Sequence, residues 1–420
     1  MKVLLVGGGG REHALGTKLA DSPLCGELLS CPGNPGLAEL GRVVDDIDIS
    51  DPARVTNLAV GASVDLVVVG PEAPLAAGVA DALGGHRIPV FGPTKAGARI
   101  ESSKTYAKDI MAAAKVPTAE SATFTRADDA RKHLSSVASP YVVKADGLAA
   151  GKGVLVTESL TDATAWVDEC LDGRFGSSDA SVVIEEHMDG DEVSVFFLCG
   201  GGAAVPFEPA RDYKRLNDGD LGPNTGGMGA YSPVDDLPDG LVAWTLDRVA
   251  HPTLAELSER GIDYTGFLYV GLMLTATGPR VVEFNARLGD PETEALMPRL
   301  SSDLLAAIVA AVAGDTNGMG LTWNDRATVN VVLAAEGYPS RPRSGDRITM
   351  TPSTNAVAYH AGTAIVDGHL VTAGGRVMNV VGIGTTIQEA RVNAYRAADR
   401  VEFEGKYHRT DIGATREDTR

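Results

Sequence analysis

Arg280-Val-Val-Glu283-Phe-Asn285-Ala-Arg287-Leu-Gly-Asp290-Pro-Glu292 is the stretch on which the reading of this chain turns. It opens as a strand. Period-two alternation points Val281, Glu283 and Asn285 one way and Val282 and Phe284 the other. A carboxylate and an amide oxygen then share one face at a strand end. Both are hard oxygen donors, the type Mg²⁺ takes when substrate phosphates supply its other ligands. A plain strand end needs one turn signal, whereas this one adds Arg287, a Gly-Asp-Pro turn and further acid. That concentration of charge favours a site over an exposed polar edge.

Upstream lies a second unusual stretch. Tyr141-Val-Val-Lys144 reads as a strand ending in a buried lysine, and Val154-Leu-Val156 as its partner. The connection from Ala145 to Gly153 is rich in glycine and carries Lys152. It is no Walker A loop, because Gly147 to Gly151 is one residue too short and Gly153 replaces the Ser/Thr. It fits a mobile lid whose backbone N–H groups cover phosphates. The buried charge of Lys144 needs an anionic partner. A helical pattern over 95–114 puts Lys104 and Lys108 on one face. Val182-Val-Ile184 leads into Glu185-Glu-His187 and on to Glu192, the composition of a nucleotide-pocket edge. The polar, glycine-laden run from Asp212 to Tyr231 reads as one long substrate-handling loop.

The N-terminal hundred residues keep a different rhythm. Lys2-Val-Leu-Leu-Val6 is a buried parallel strand, and Gly7 to Gly10 turns it into a helix. Strand, glycine turn and helix N-terminus form a phosphate cradle. The dinucleotide fingerprint fails, since its third glycine position is Glu12, which argues against a nicotinamide-dependent oxidoreductase. Strands at 64–69 and 88–91 end in Gly70-Pro71-Glu72 and Gly92-Pro93, and a turn at 32–36 contains Asn34. These loops gather at the strand ends of an open α/β domain. After about Trp323, short strands and a helix over 386–400 carry no chemical motif and suit a covering role.

The chain has 420 residues, 44% apolar and 22% charged, enough for two or three domains with real cores. The net charge of −19 argues against general binding to nucleic acid or anionic membrane. No apolar run reaches a membrane span, and Val3 to Val6 is too short for a signal-peptide core. The four scattered cysteines suggest buried free thiols, so a cytoplasmic protein is expected.

Six motifs together resemble one family. They are Gly-Gly-Arg-Glu-His-Ala-Leu (9–15), Gly-Pro-Glu-x-Pro-Leu (70–75) and Lys-Ala-Asp-Gly-Leu-Ala-Ala-Gly-Lys-Gly-Val (144–154). With them stand Asp-Tyr-Lys-Arg (212–215), Gly-Pro-Asn-Thr-Gly-Gly-Met-Gly-Ala-Tyr (222–231) and Arg-Leu-Gly-Asp-Pro-Glu-Thr-Glu (287–294). The set is similar to the phosphoribosylamine–glycine ligases (glycinamide ribonucleotide synthetases) of the ATP-grasp superfamily, over nearly the whole chain. Three departures are small: Gly8 stands where Asn is usual, Leu288 where Phe is, and Glu294 where Gln is.

The resemblance implies an α/β and α+β multidomain fold. An open α/β domain over 1–100 would precede an ATP-grasp domain over 101–322, with a mobile lid at about 118–190, and a small mixed domain over 323–420. It implies ATP-dependent ligation of glycine to 5-phosphoribosylamine through glycyl phosphate, in de novo purine biosynthesis, by a monomer. Lys104, Lys144 and the loop with Gly147, Gly151 and Gly153 would handle ATP phosphates. Glu185 and His187 would hold adenine, and Glu192 the ribose; Glu283 and Asn285 would bind Mg²⁺ or Mn²⁺. Arg287, Asp212, Lys214 and Asp290 would form the catalytic set. Gly9, Gly10, Asn34, Gly70, Pro71 and Glu72 would hold the phosphoribosyl group.

Overall fold

Lys2–Gly7 lies at the centre of a five-stranded parallel sheet, with Glu27–Pro32 on one side and Leu66–Val69 on the other. Being covered on both faces, it is a continuous apolar run. Arg42–Val43 and Val90–Phe91 form the edges. The strand order reverses between Lys2–Gly7 and Leu66–Val69, which brings the glycine turn and the Gly70 turn together. The computed structural model describes residues 1–149, 153–174 and 180–414.

Two antiparallel sheets follow. A central sheet runs in the order Ala203–Pro206, Asp191–Gly200, Gly266–Thr275, Gly278–Asn285. The smaller one, at the position expected of the lid, is ordered Ser121–Phe124, Val182–Glu185, Tyr141–Ala145, Val154–Thr157. Helices Ala127–Leu134 and Leu160–Leu171 bury Ala130, Leu134, Ala163 and Val167 against it. The last sheet pairs Ala327–Ala334, Arg376–Gly384 and Ala356–His360 with two short strands from upstream, Arg211–Asp212 and Gly229–Ser232. Helix Ile387–Ala398 covers it.

Three local expectations are corrected. The alternation expected over 281–285 is broken by an irregularity in register opposite Gly271 and Leu272, where Val281 pairs with Leu272 and Glu283 with Gly271. Val282 is the extra residue. Val281 and Phe284 therefore enter the same core, while Glu283 keeps the cleft face. The helix expected over 95–114 is two helices, Lys95–Ser102 and Lys104–Ala113. Ser103 between them is extended, and its hydroxyl accepts the Tyr106 N–H, so it caps the second helix. The long loop expected over 212–231 contains paired strands instead: Arg211 and Asp212 pair with Tyr231 and Ala230, and Arg215 with Asn224. Gly222 and Gly227, at φ of 82° and 111°, supply backbone that side-chain-bearing residues rarely adopt, and pairing becomes possible.

The first and last domains are locked together. Asn34 donates to the carbonyl of His360 at 2.8 Å, and His13 Nδ1 accepts the His360 N–H at 2.8 Å. Burial, with His360 nearby, pushes His13 down to about 3, so it stays neutral and serves as an acceptor.

Candidate active site

Where the small sheet, the central sheet and the carboxyl end of the N-terminal sheet meet, a cleft of about 1510 Å³ opens. The cationic end is built around Asp146, the residue after strand Tyr141–Ala145. One of its oxygens accepts the Lys104 N–H at 2.5 Å and the other accepts from the Ser103 and Ser181 hydroxyls. This ties the hairpin to the N-terminus of helix Lys104–Ala113, where a carboxylate is favoured. Lys104 and Lys144 are thereby brought to one wall.

Lys144 meets its anionic partner inside the protein. Its Nζ lies 2.8 Å from Glu185, and Lys108 approaches the other Glu185 oxygen at 3.3 Å. Lys144 also donates to the Val282 carbonyl at 3.2 Å, at the irregular residue. Glu185, 3% exposed, thus spends its carboxylate on two lysines. Lys104 donates to the Gly147 carbonyl at 3.0 Å and has no ion pair among the described residues. Burial lowers it, against the pull of Glu283. Lys104, Lys108 and Lys144 thus gather here with the carboxylates of Glu185, Asp146 and Glu283. Gly147, Gly153 and His187 line the same region, whereas Gly151 and Lys152 lie outside the described residues.

Glu283 and Asn285 line the cleft beside Lys104. Among the described residues, no side-chain hydrogen bond or ion pair engages either of them. Nor do three or more His, Cys, Asp or Glu side chains gather there as a metal cluster. One carboxylate and one amide oxygen, both unengaged and next to cations that suit phosphates, fit a Mg²⁺-type ion that takes its remaining ligands from phosphate and water.

At the far end, charges interlock. Arg287 contacts Glu101 at 2.8 Å and Glu72 at 3.2 Å, and Arg11 reaches Glu12 at 2.6 Å. Burial would raise Glu72, but Arg287 and Arg11 outweigh it and hold the carboxyl down at about 2. Burial pushes Glu101 up to about 7 despite Arg287. Lys214 sits 2.6 Å from Glu192 and 2.8 Å from Asp212. These two carboxylates overcome burial and keep its ammonium protonated well above the usual range. Asp290 pairs with Arg376 of the last sheet at 3.1 Å.

The expected phosphoribosyl residues divide. Pro71 and Glu72 line the cleft; Gly9, Gly10, Asn34 and Gly70 do not. The crevice between the two turns is filled by Glu12. Its carboxylate accepts the Gly9 N–H at 2.7 Å, and a Cβ on Gly70 would lie 2.3 Å from it. Asn34 caps helix Pro35–Leu40 through the Leu37 N–H and spends its amide on backbone carbonyls. At Gly8, a Cβ would fall 2.4 Å from the Gly33 carbonyl, so glycine permits the close approach of the two turns.

Several lining residues had not been singled out from the sequence: Arg11, Glu101, Glu292, Arg376 and Arg409. Lys108, on the same helix face as Lys104, lines the cleft too. Glu292 stood inside the quoted motif, and that was its signal. Arg376 and Arg409 belong to the domain expected only to cover, and nothing local marks them.

The family model for the phosphoribosylglycinamide synthetase N domain matches residues 1–101, the ATP-grasp (A) domain model 102–293, and the C domain model 328–415. A phosphoribosylamine–glycine ligase of Streptomyces coelicolor is 47% identical over 421 residues, covering 99% of each chain. That of Mesorhizobium japonicum is 46% identical over 416 residues, covering 98% of each. The crystal structure of a phosphoribosylamine–glycine ligase from Thermotoga maritima superposes with a TM-score of 0.87 at 36% identity, covering 98% of this chain and 100% of that one. The biotin carboxylase domain of a Hydrogenobacter thermophilus 2-oxoglutarate carboxylase, solved with ADP, magnesium and bicarbonate, has a TM-score of 0.74 at 13% identity. It covers 97% of this chain and 91% of that one, a likeness of fold alone.

Proposed function

We propose roles for the cleft residues on the premise that this chain belongs to the phosphoribosylglycinamide synthetase family, whose relatives are phosphoribosylamine–glycine ligases. Its reaction is the ATP-dependent ligation of glycine to 5-phosphoribosylamine in de novo purine biosynthesis. No helix among the described residues is long and apolar enough to cross a membrane. The four cysteines are unpaired, which suits a reducing compartment, and we assign the reaction to the cytoplasm.

A carboxylate is a poor acyl donor because oxide would have to leave. Transfer of the γ-phosphoryl group to glycine makes glycyl phosphate, and the amine then displaces phosphate. Such transfer is mostly positioning and neutralisation of spreading charge. Lys104 and Lys144 are proposed to hold the ATP phosphates, with Lys108 and Glu185 fixing Lys144. Glu283 and Asn285 would hold Mg²⁺ or Mn²⁺, which offsets phosphate charge when bound. Beyond them Arg287, held from two sides by Glu72 and Glu101, would receive the glycine carboxylate. Lys214, Asp212 and Asp290 would orient the acyl phosphate and the amine. The Glu185 carboxylate is engaged by lysines, which favours backbone groups near it, with His187, for the adenine. Glu192, half exposed beside Lys214, keeps an edge available to the ribose hydroxyls. The phosphoribosyl group is assigned to Pro71 and Glu72 and the turn leading to them, with Gly9, Gly10, Asn34 and Gly70 shaping that wall from behind.

The observation that carries this reading is the adjacency, in one cleft, of Lys104, the pair Glu283 and Asn285, none of them in an ion pair among the described residues, and the braced guanidinium of Arg287. ADP release from Mg²⁺-ATP is expected to require both glycine and phosphoribosylamine generated in situ. Release with neither co-substrate, or no release with both, would overturn the reading.

A further inference from the structure

Of the carboxylates lining the cleft, Glu72, Glu101, Glu185, Glu192, Asp212 and Asp290 are each in an ion pair. Glu292 lines the same cleft and, like Glu283, is in none among the described residues. It is 4% exposed, the first residue of helix Glu292–Leu296. Its Oε1 lies 3.2 Å from the Ser194 hydroxyl, which lies 2.8 Å from the hydroxyl of Tyr269. Ser194 has one proton to give. The arrangement that satisfies all three groups runs from the Tyr269 O–H to Ser194 Oγ, and from the Ser194 O–H to Glu292. That chain fixes one carboxylate oxygen. The carboxylate folds back over Gly289, where a Cβ would lie 2.4 Å from Oε2 and 2.7 Å from Oε1, so the glycine leaves room for it on the cleft wall.

We propose that Glu292 is the general base of the second step, taking the proton that the attacking amine must lose. The proposal rests on the ligase reading above. The amine nitrogen attacks the carbonyl carbon of glycyl phosphate and the C–N bond forms. One N–H proton passes to the Glu292 carboxylate. The C–O bond to phosphate breaks, phosphate leaves with its electron pair, and Glu292 returns its proton to water. The charged groups around Glu292 suit this work. Asp212 acts from strand Arg211–Asp212, Lys214 and Arg287 from loops, and Arg376 from the last sheet, with the neutral Tyr269 and Ser194 on the central sheet. Burial, then Asp212, push the carboxyl up to about 7 against Lys214 and Arg287. A base titrating near neutrality matches the operating pH. A structural role, capping its own short helix, would survive replacement by glutamine, which keeps the shape and an acceptor oxygen.

Glu292→Gln is therefore expected to lower kcat about 100- to 1,000-fold, as the loss of a general base does. KM for glycine and ATP, the affinity for ATP, and the melting temperature should stay near those of wild type. The wild-type kcat should fall below pH about 7 as Glu292 is protonated, and that limb should be missing from the variant's residual rate. Glu292→Asp should recover part of the rate and the limb. Wild-type turnover in Glu292→Gln, retention of the limb, or a loss that arrives together with weakened ATP binding would each overturn the proposal. Failure of the wild-type enzyme to couple ADP release to both co-substrates would instead sink the ligase reading.

Discussion

Replacing Glu283 by alanine is expected to cut turnover roughly 1,000-fold, equivalent to about 4 kcal/mol of transition-state stabilisation, while stability stays within about 0.5 kcal/mol of wild type. The two halves of this expectation have one cause. No protein group hydrogen-bonds or ion-pairs with this carboxylate among the described residues, so its removal leaves no orphaned partner. It lies instead among cations and beside Asn285, where phosphate and metal would meet. Glu283→Gln should fall almost as far, since it keeps an oxygen and loses the charge. Steady-state kinetics over a Mg²⁺ series, with urea unfolding as the stability control, measures both halves. Wild-type-like turnover at ordinary Mg²⁺ would remove Glu283 from the metal site. A large loss of stability would mean that the residue is structural.

Glu185→Ala should behave oppositely, with a stability loss of about 3–5 kcal/mol, the cost of leaving buried charges without their partner. Lys108 and Lys144 are 11% and 7% exposed and share this one carboxylate. Burial already lowers Lys108 with Glu185 present. Without it the two ammonium groups face each other in a poorly solvated place. An internal control lies next to it in the sequence. Glu186 pairs with Arg280 at 2.7 Å at the surface, and Glu186→Ala should cost no more than about 1 kcal/mol. Urea unfolding of the two variants makes the comparison. Equal losses would mean that the buried cluster is better solvated than its packing indicates.

The sequence revealed the architecture where local chemistry dictated it. Lys2–Gly7 had to be a covered parallel strand because Val3 to Val6 is apolar throughout, and the four glycines from Gly7 to Gly10 left little choice but a turn into a helix. The oxygen pair Glu283 and Asn285 was legible too, but the strand face was only half right. The irregular pairing at Val282 depends on Gly271 and Leu272 across the sheet, and nothing within 280–285 encodes it. Asn34 carries a second local signal: Asn followed by Pro is an N-cap with proline at the first helical position, and the residue caps helix Pro35–Leu40. Glu101 and Arg376 could not be found locally. One sits in a helix and the other on a strand, and only packing brings them to Arg287 and Asp290.

Glu294 shows how structure accounts for a departure from the family pattern. It is fully buried, and burial with the nearby Asp290 holds its carboxyl protonated well above the usual range. A neutral acid has nearly the shape and polarity of the glutamine usual at this position, which explains how the exchange is tolerated.

The most direct test of the proposed chemistry follows an oxygen atom. Glycine labelled with ¹⁸O in its carboxylate would be turned over with ATP and phosphoribosylamine, and the released phosphate examined by mass spectrometry. If glycine is activated as glycyl phosphate in this cleft, each phosphate should carry one ¹⁸O, because the bond that breaks in the second step is the one between the carbonyl carbon and that oxygen. Unlabelled phosphate, accompanied by full formation of the amide, would contradict an acyl phosphate and with it the roles assigned to Arg287, Lys214 and Glu292.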